Sequence, residues 1–144
     1  MATADPDIRP ALLSDADAVF SLLCKFATSY EPVRPAFDAS YARLLEDGSE
    51  ADLLVSERDG LIVGYVLASD SLTLFANGVV TELIELYVDE GHRRKGIGRE
   101  LVLQAVARAR DRGAVEVTVP TRRAHSFYLR LGFESTAEFF KLQM

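Results

Sequence analysis

Leu83-Ile84-Glu85-Leu86-Tyr87-Val88, then Arg93-Arg94-Lys95-Gly96-Ile97-Gly98, then Arg99 through Gly113: the reading of this run decides the fold. The first part is rich in β-branched and aromatic residues and predicts a strand over Thr81–Val88. From Gly98 to Asp111 there is no proline and no interior glycine, and Leu101, Val102, Ala105, Val106 and Ala109 recur at helical spacing. Arg108, Arg110 and Arg112 suit the negative end of that helix, and Gly113 suits the position just past it. A strand therefore runs through a basic, glycine-bearing turn straight into a helix. Such a helix start leaves backbone N–H groups pointing outward, a seat for a phosphate. Gly96 and Gly98 let the main chain approach that anion without a Cβ in the way.

Composition narrows the class. A chain of 144 residues has the length of one domain and enough material to bury a core. Apolar residues at 49% and charged residues at 26% describe a soluble globular protein rather than a disordered one. Sixteen basic residues against twenty-two acidic ones, a net charge of −6, argue against nucleic acid or an anionic membrane as partner and mildly suit a cationic substrate. Cys24, the single cysteine, excludes an internal disulfide and a cysteine-based zinc site. Its place in an apolar helical run predicts a buried structural thiol. No apolar run reaches membrane-span length and no signal pattern opens the chain, so the expected location is the cytoplasm.

Taken in order, Asp7–Ala11 predicts a first strand ending near Pro10. Ser14 then caps a helix, with Asp17 in its first turn and an apolar face of Val19, Phe20, Leu22, Leu23 and Phe26. Pro32 and Pro35 make Tyr30–Phe37 a loop, and Asp38–Glu46 a second helix closed by Asp47-Gly48. The runs 53–57 and 61–67 flank a polar turn ending in Gly60, a hairpin signature, and Gly64 marks a bulge or a close backbone approach. Leu72–Val80 is ambiguous, with Asn77-Gly78 as a turn before the next strand. After the long helix come a strand over Val115–Val119 stopped by Pro120, a short helix over Ala124–Leu131 ending at Gly132, and a last strand over Ala137–Leu142. The expected architecture is α/β in the α+β sense: a mixed, mostly antiparallel sheet flanked by helices, in one domain spanning 1–144.

Three readings compete for the glycine turn. Gly91 and Gly96 have the spacing of a nucleotide-triphosphate phosphate loop, but Ile97-Gly98 stand where that loop needs Lys followed by Ser or Thr. Gly96-x-Gly98 can open a dinucleotide fingerprint, yet Leu101 occupies the third glycine position and little chain remains for two mononucleotide halves. Glu116 keeps that reading open, since it lies near where a ribose-binding acid is sought. A tight turn that binds nothing is the third reading, set against two alternated glycines and three consecutive basic residues.

A second signal separates them. Arg93-x-x-Gly96-x-Gly98, preceded by Leu86-Tyr87-Val88, resembles the acetyl-CoA motif of the GNAT family of N-acetyltransferases. Downstream, Ala124-x-x-Phe127-Tyr128 followed by Gly132-Phe133 resembles that family's second motif, in the same order and at the family's spacing. The resemblance covers about Glu82 to Phe133. Two departures stand out: Thr121 takes a position where the family often has asparagine, and Arg94 one where it commonly has glycine.

The resemblance implies the GNAT fold and transfer of an acetyl group from acetyl-CoA, a co-substrate, to a primary amine, without a metal. It implies that Arg93 and the main chain of Arg94, Lys95, Gly96, Ile97, Gly98 and Arg99 meet the pyrophosphate. Leu86, Tyr87 and Val88 would pair with the pantetheine arm like an added strand, and Thr121, Ala124 and Phe127 would complete the cofactor side. Tyr128 matches the tyrosine that protonates the leaving thiolate. An attacking amine must lose a proton, and Glu82 and Glu85 are the candidate bases. Strict alternation puts Glu85 and Tyr87 on one face and Glu82 with Ile84 and Leu86 on the other, a parity any bulge would change. His92, in the basic turn, is expected to be solvated and His125 to lie on a helix surface; two isolated histidines make no metal site. The acceptor is left open between small cationic amines and peptide amines, and a non-catalytic acyl-CoA-binding or interaction module is the alternative. Phe139 and Phe140 on the last strand suit a homodimer contact.

Overall fold

A computed structural model of the chain describes residues 7–144. Five strands form one sheet in the order β1-β2-β3-β4-β5: β1 Asp7–Pro10, β2 Ala51–Arg58, β3 Leu61–Thr73, β4 Gly78–Val88 and β5 Glu116–Thr118. Neighbours are antiparallel except β4 and β5, which run parallel. The helices are α1 Ala16–Phe26, α2 Arg34–Leu44, α3 Ile97–Asp111 and α4 His125–Arg130. The expected mixed, mostly antiparallel sheet with flanking helices is what forms.

Alternation along the strands divides the core in two. Leu54, Val66, Ala68 and Leu83 face α3 and its buried stripe of Ile97, Leu101, Val102 and Ala105, with Tyr128 of α4. Leu53, Val55, Tyr65, Leu67 and Tyr87 face α1 and α2, where Val19, Leu22 and Tyr41 meet them. Two irregularities break the alternation. In the first, Ser56 pairs with Gly64 but Glu57 with Ile62, so Val63 is the extra residue. In the second, Leu67 pairs with Glu85 but Ala68 with Leu83, so Ile84 is extra in β4. Gly64 satisfies both expectations for it: it adjoins the first bulge, and a Cβ there would stand 2.9 Å from the Tyr87 carbonyl oxygen.

Several elements differ from the sequence reading. The residues around Leu72–Val80 form a second hairpin, with Asn77 at φ 62° in its turn, so β4 begins at Gly78 rather than Thr81. Helix α2 starts at Arg34, not Asp38, because Pro35 sits in its first turn, where a missing N–H costs nothing. Ser14 does not cap α1; a 3₁₀ turn over Leu13–Asp15 precedes it, and Asp15 accepts from Leu12 N (2.8 Å) while Arg9 holds its carboxylate (2.7 Å). Cys24 is exposed, since α1 buries Val19 and Leu22 and turns Cys24 outward. No strand forms over Ala137–Leu142; that segment has no ladder partner, and Phe139 and Phe140 are exposed. Two phenylalanines and a leucine of strand-like character made no strand there without a ladder to join.

Helix α3 is pinned at its C-terminal end. Arg108 and Arg112 both reach Asp52 (2.8 and 3.0 Å), Arg112 also binds Asp70 (2.8 Å), and Thr81 Oγ1 donates to Asp70 (2.7 Å). These bonds hold the Asp70 carboxyl below its usual range, chiefly through Arg112. Gly113, at φ 92°, ends the helix as expected, with Ala114 N on Ala109 O and Gly113 N on Arg110 O. The opposite end of α3 is left facing the end of β4. Gly64→Ala should destabilise the protein by about 1–3 kcal/mol, because the clash is with main chain that cannot swing away. Urea unfolding of the two proteins measures it.

Candidate active site

The site is built where β4 stops having a neighbour on one side. The parallel ladder to β5 pairs Val80–Glu116, Thr81–Val117 and Glu82–Thr118, and ends there. On its other side β4 stays paired with β3 as far as Gly64–Val88. Along Leu86–Val88 one edge of the strand is therefore without a strand partner among the described residues, and an extended ligand can pair with it.

The chain then turns through Asp89–Gly96. A 3₁₀ turn over Glu90–His92 is followed by Arg94 at φ 65° and Gly96 at φ 80°, the residue that caps α3. Such left-handed backbone comes at least strain in glycine, and Arg94 adopts it with its side chain in solvent. The first helical bond runs from Glu100 N to Gly96 O (3.0 Å), so the N–H groups of Ile97, Gly98 and Arg99 have no acceptor one turn back. A Cβ at Gly98 would be 3.7 Å from both Phe127 Cζ and Val88 Cγ2. Three separate stretches of sequence, the strand end, the glycine turn and the second motif, thus meet at Gly98.

The basic residues divide in two. Arg93 turns back: its Nε donates to Val88 O (3.0 Å) and its guanidinium lies 5.5 Å from the centre of the Tyr87 ring. Lys95, Arg94 and Arg99 are exposed around the helix start. Asp89 holds Lys25 (3.1 Å) and has His92 Nδ1 at 3.6 Å, so its carboxyl is held low, mainly by Lys25. His92 is half-buried rather than solvated. His125 is exposed on α4 as expected, and Thr121 Oγ1 accepts from Ala124 N (3.1 Å), fixing the entry to α4.

Tyr128 is buried, its ring edge-on to Phe127 (5.0 Å between centres) and Phe133 (5.4 Å). Burial pushes its phenol up to about 12, so it stays protonated at neutral pH. It also lies on the wall of a cavity of about 880 Å³ between β5, α3, α4 and the following residues, which Glu82, Thr121 and His125 border.

Glu85 lies on the other face. The bulge at Ile84 puts Leu83 in the α3-side core yet leaves Glu85 and Tyr87 on the α1 side. Counting back from Leu83, register sets the Glu82 side chain on the α1 side, where strict alternation had set it opposite Glu85, while its place at the end of the β4–β5 ladder also puts it on the rim of the α3–α4 cavity. Glu82 is exposed. Glu85 is half-buried and accepts from Tyr65 Oη (2.9 Å) at the floor of a pocket of about 250 Å³ under α1 and α2. Burial pushes its carboxyl up, and the Tyr65 bond offsets part of that rise. Tyr65 is a residue of this pocket that the sequence reading missed; it lies on another strand, next to Gly64, and only register reveals it.

Comparison with known proteins places this geometry. A sequence profile of the acetyltransferase (GNAT) family matches residues 16–133. An aminoalkylphosphonate N-acetyltransferase of Salmonella typhimurium is 28% identical over 134 residues, 90% of this chain and 86% of that protein. An uncharacterized N-acetyltransferase of Mycobacterium tuberculosis is 30% identical over 132 residues, 85% of this chain and 81% of that protein. The glucosamine-6-phosphate N-acetyltransferase of Arabidopsis thaliana superposes with a TM-score of 0.85 at 19% identity, covering 97% of this chain and 99% of that one. An acetyltransferase of Trypanosoma brucei gives 0.83 at 22% identity, over 97% and 100%. The two superpositions are likenesses of fold.

Tyr65→Phe should move the Glu85 carboxyl further up, since the lost hydrogen bond favours the ionised form. Carbon-detected NMR titration of the glutamate carboxyls reads the shift, and an unmoved or lowered Glu85 would contradict this account.

Proposed function

The chain belongs to the acetyltransferase (GNAT) family and is an N-acetyltransferase, and we propose that it transfers the acetyl group of acetyl-CoA to a small-molecule or peptide amine by direct attack. The observation that carries this reading is the edge of β4 over Leu86–Val88, without a strand partner among the described residues, opening beside the start of α3, which no side chain caps. A donor with an amide-bearing arm and a pyrophosphate needs both, a strand edge and an anion seat, a short distance apart. Leu86, Tyr87 and Val88 would take the arm. The N–H groups around Gly96–Arg99 would take the pyrophosphate, with Arg94 and Lys95 in reach as counter-charges. Phe127 against Gly98, with Ala124 behind it, walls the same space. When bound, acetyl-CoA supplies an activated thioester.

The chain's own residues then handle two protons. Glu85 has the environment of a base: a carboxylate whose basicity burial raises, oriented by Tyr65. Glu82, exposed and without a side-chain hydrogen-bond partner among the described residues, suits a secondary electrostatic role. Tyr128, protonated at working pH, serves as donor to the departing thiolate. A binding module without turnover would need neither the perturbed acid nor the perturbed phenol, and their placement on either side of the β4 edge favours catalysis.

Tyr128→Phe should lower kcat by about 10²–10⁴-fold while the dissociation constant for acetyl-CoA changes little. Steady-state rates beside calorimetric titration of the donor separate the two, and an unaltered kcat would remove Tyr128 from the mechanism. The pH–rate profile should rise through an acidic limb lying above the usual carboxylate range, as Glu85 loses its proton. That limb should vanish in Glu85→Gln and persist in Glu82→Gln; the reverse pattern would name Glu82 as the base.

A further inference from the structure

The pocket under α1 and α2 is more selective than an amine site needs to be. Its walls are Val19 and Leu23 of α1, Val33, Phe37 and Leu44 from the α2 side, and Leu67 from the sheet. Its polar groups are few and mostly committed. Tyr41 Oη donates to Leu12 O (2.6 Å) and Tyr65 Oη donates to Glu85 (2.9 Å), which leaves the Glu85 carboxylate as the one acid on the lining. No lysine or arginine is among the lining residues. Arg34, next to Val33 in sequence, is held by Asp17 (2.6 Å) and Asp38 (2.8 Å) with its guanidinium over the rings of Phe20 and Phe37.

Resting on the acetyl-transfer reading of this site, we propose that its acceptor is a compact monoamine on an alkyl or aryl body, the nitrogen at Glu85 and the apolar part between α1 and α2. About 250 Å³ is ample for such a body, since an apolar cavity of about 150 Å³ already takes benzene. A phosphonate or carboxylate on the acceptor would be buried opposite no cation, and a second ammonium would lie among valine, leucine and phenylalanine with no acid to meet it. The acceptor named for the Salmonella relative carries a phosphonate; the lining here has nothing to pair with one.

Initial rates of thiol release from acetyl-CoA should be measured with phenethylamine, hexylamine, ethanolamine, spermidine, 2-aminoethylphosphonate and glycine. Phenethylamine and hexylamine should exceed every polar amine in kcat/KM by about tenfold or more, the scale set by a few buried methylenes. In parallel, phenethylamine should be titrated calorimetrically into the CoA-bound protein. Ala36→Phe, a change at an exposed α2 position on the pocket rim, should weaken that binding about tenfold or more and leave CoA binding in place. Preference for spermidine, glycine or the phosphonate would overturn the acceptor class while acetyl transfer stood. Phenethylamine binding that Ala36→Phe weakens, with no turnover of any amine, would support the pocket and sink the transfer reading. Neither binding nor turnover would overturn both.

Discussion

β4 has strand partners on both sides only as far as Glu82. Beyond it, β3 continues to Val88 on one side and nothing replaces β5 on the other. β5 cannot follow: it is three residues long, and Pro120 ends its capacity to donate to a ladder. An unpaired edge is ordinarily a hazard that proteins cover or charge. Here the chain folds back over it only at its tip, where Arg93 donates to Val88 O. In the cleft that remains, bounded by the α3 start and by Phe127, an extended ligand can complete the hydrogen bonding of β4. Gly64 keeps the opposite side of β4 close enough to hold that edge still, because β3 and the Tyr87 carbonyl meet there without a side chain between them.

The same strand separates Glu85 from Tyr128. Glu85 belongs to the α1 face and Tyr128 to the α3–α4 face, so each is desolvated by a different core. Desolvation penalises the charged form of both. For Tyr128 the result is an acid that keeps its proton. For Glu85 it is a carboxylate more basic than its kind, with Tyr65 limiting the effect and fixing the direction in which it points. One physical cause, burial, therefore raises both groups from opposite faces of the sheet.

Most of the architecture was legible from local chemistry. The Asp59-Gly60 turn, the apolar stripe of α3, the Gly113 terminus and the Phe127-Tyr128…Gly132-Phe133 run all specify themselves within a few residues of chain, because turn conformation and helical spacing are short-range properties. Errors arose where tertiary context decides. Ala137–Leu142 has strand-like composition but pairs with no strand among the described residues. Cys24 sits in an apolar run but on the outward side of its helix. Pro35 reads as a breaker and is instead part of a first turn.

The sequence by itself determined the order of elements as far as α4, the family resemblance and the basic glycine turn between β4 and α3. Each of those rests on residues adjacent or periodic in the chain. Only the tertiary structure decided which glutamate is buried, which tyrosine bonds to it, and which way each points. A single extra residue at Ile84, visible only when β4 is laid against β3, moves Glu82 to the same side as Glu85. Strand register is set by packing across the sheet, and a shift of one residue exchanges faces without changing a letter of the sequence.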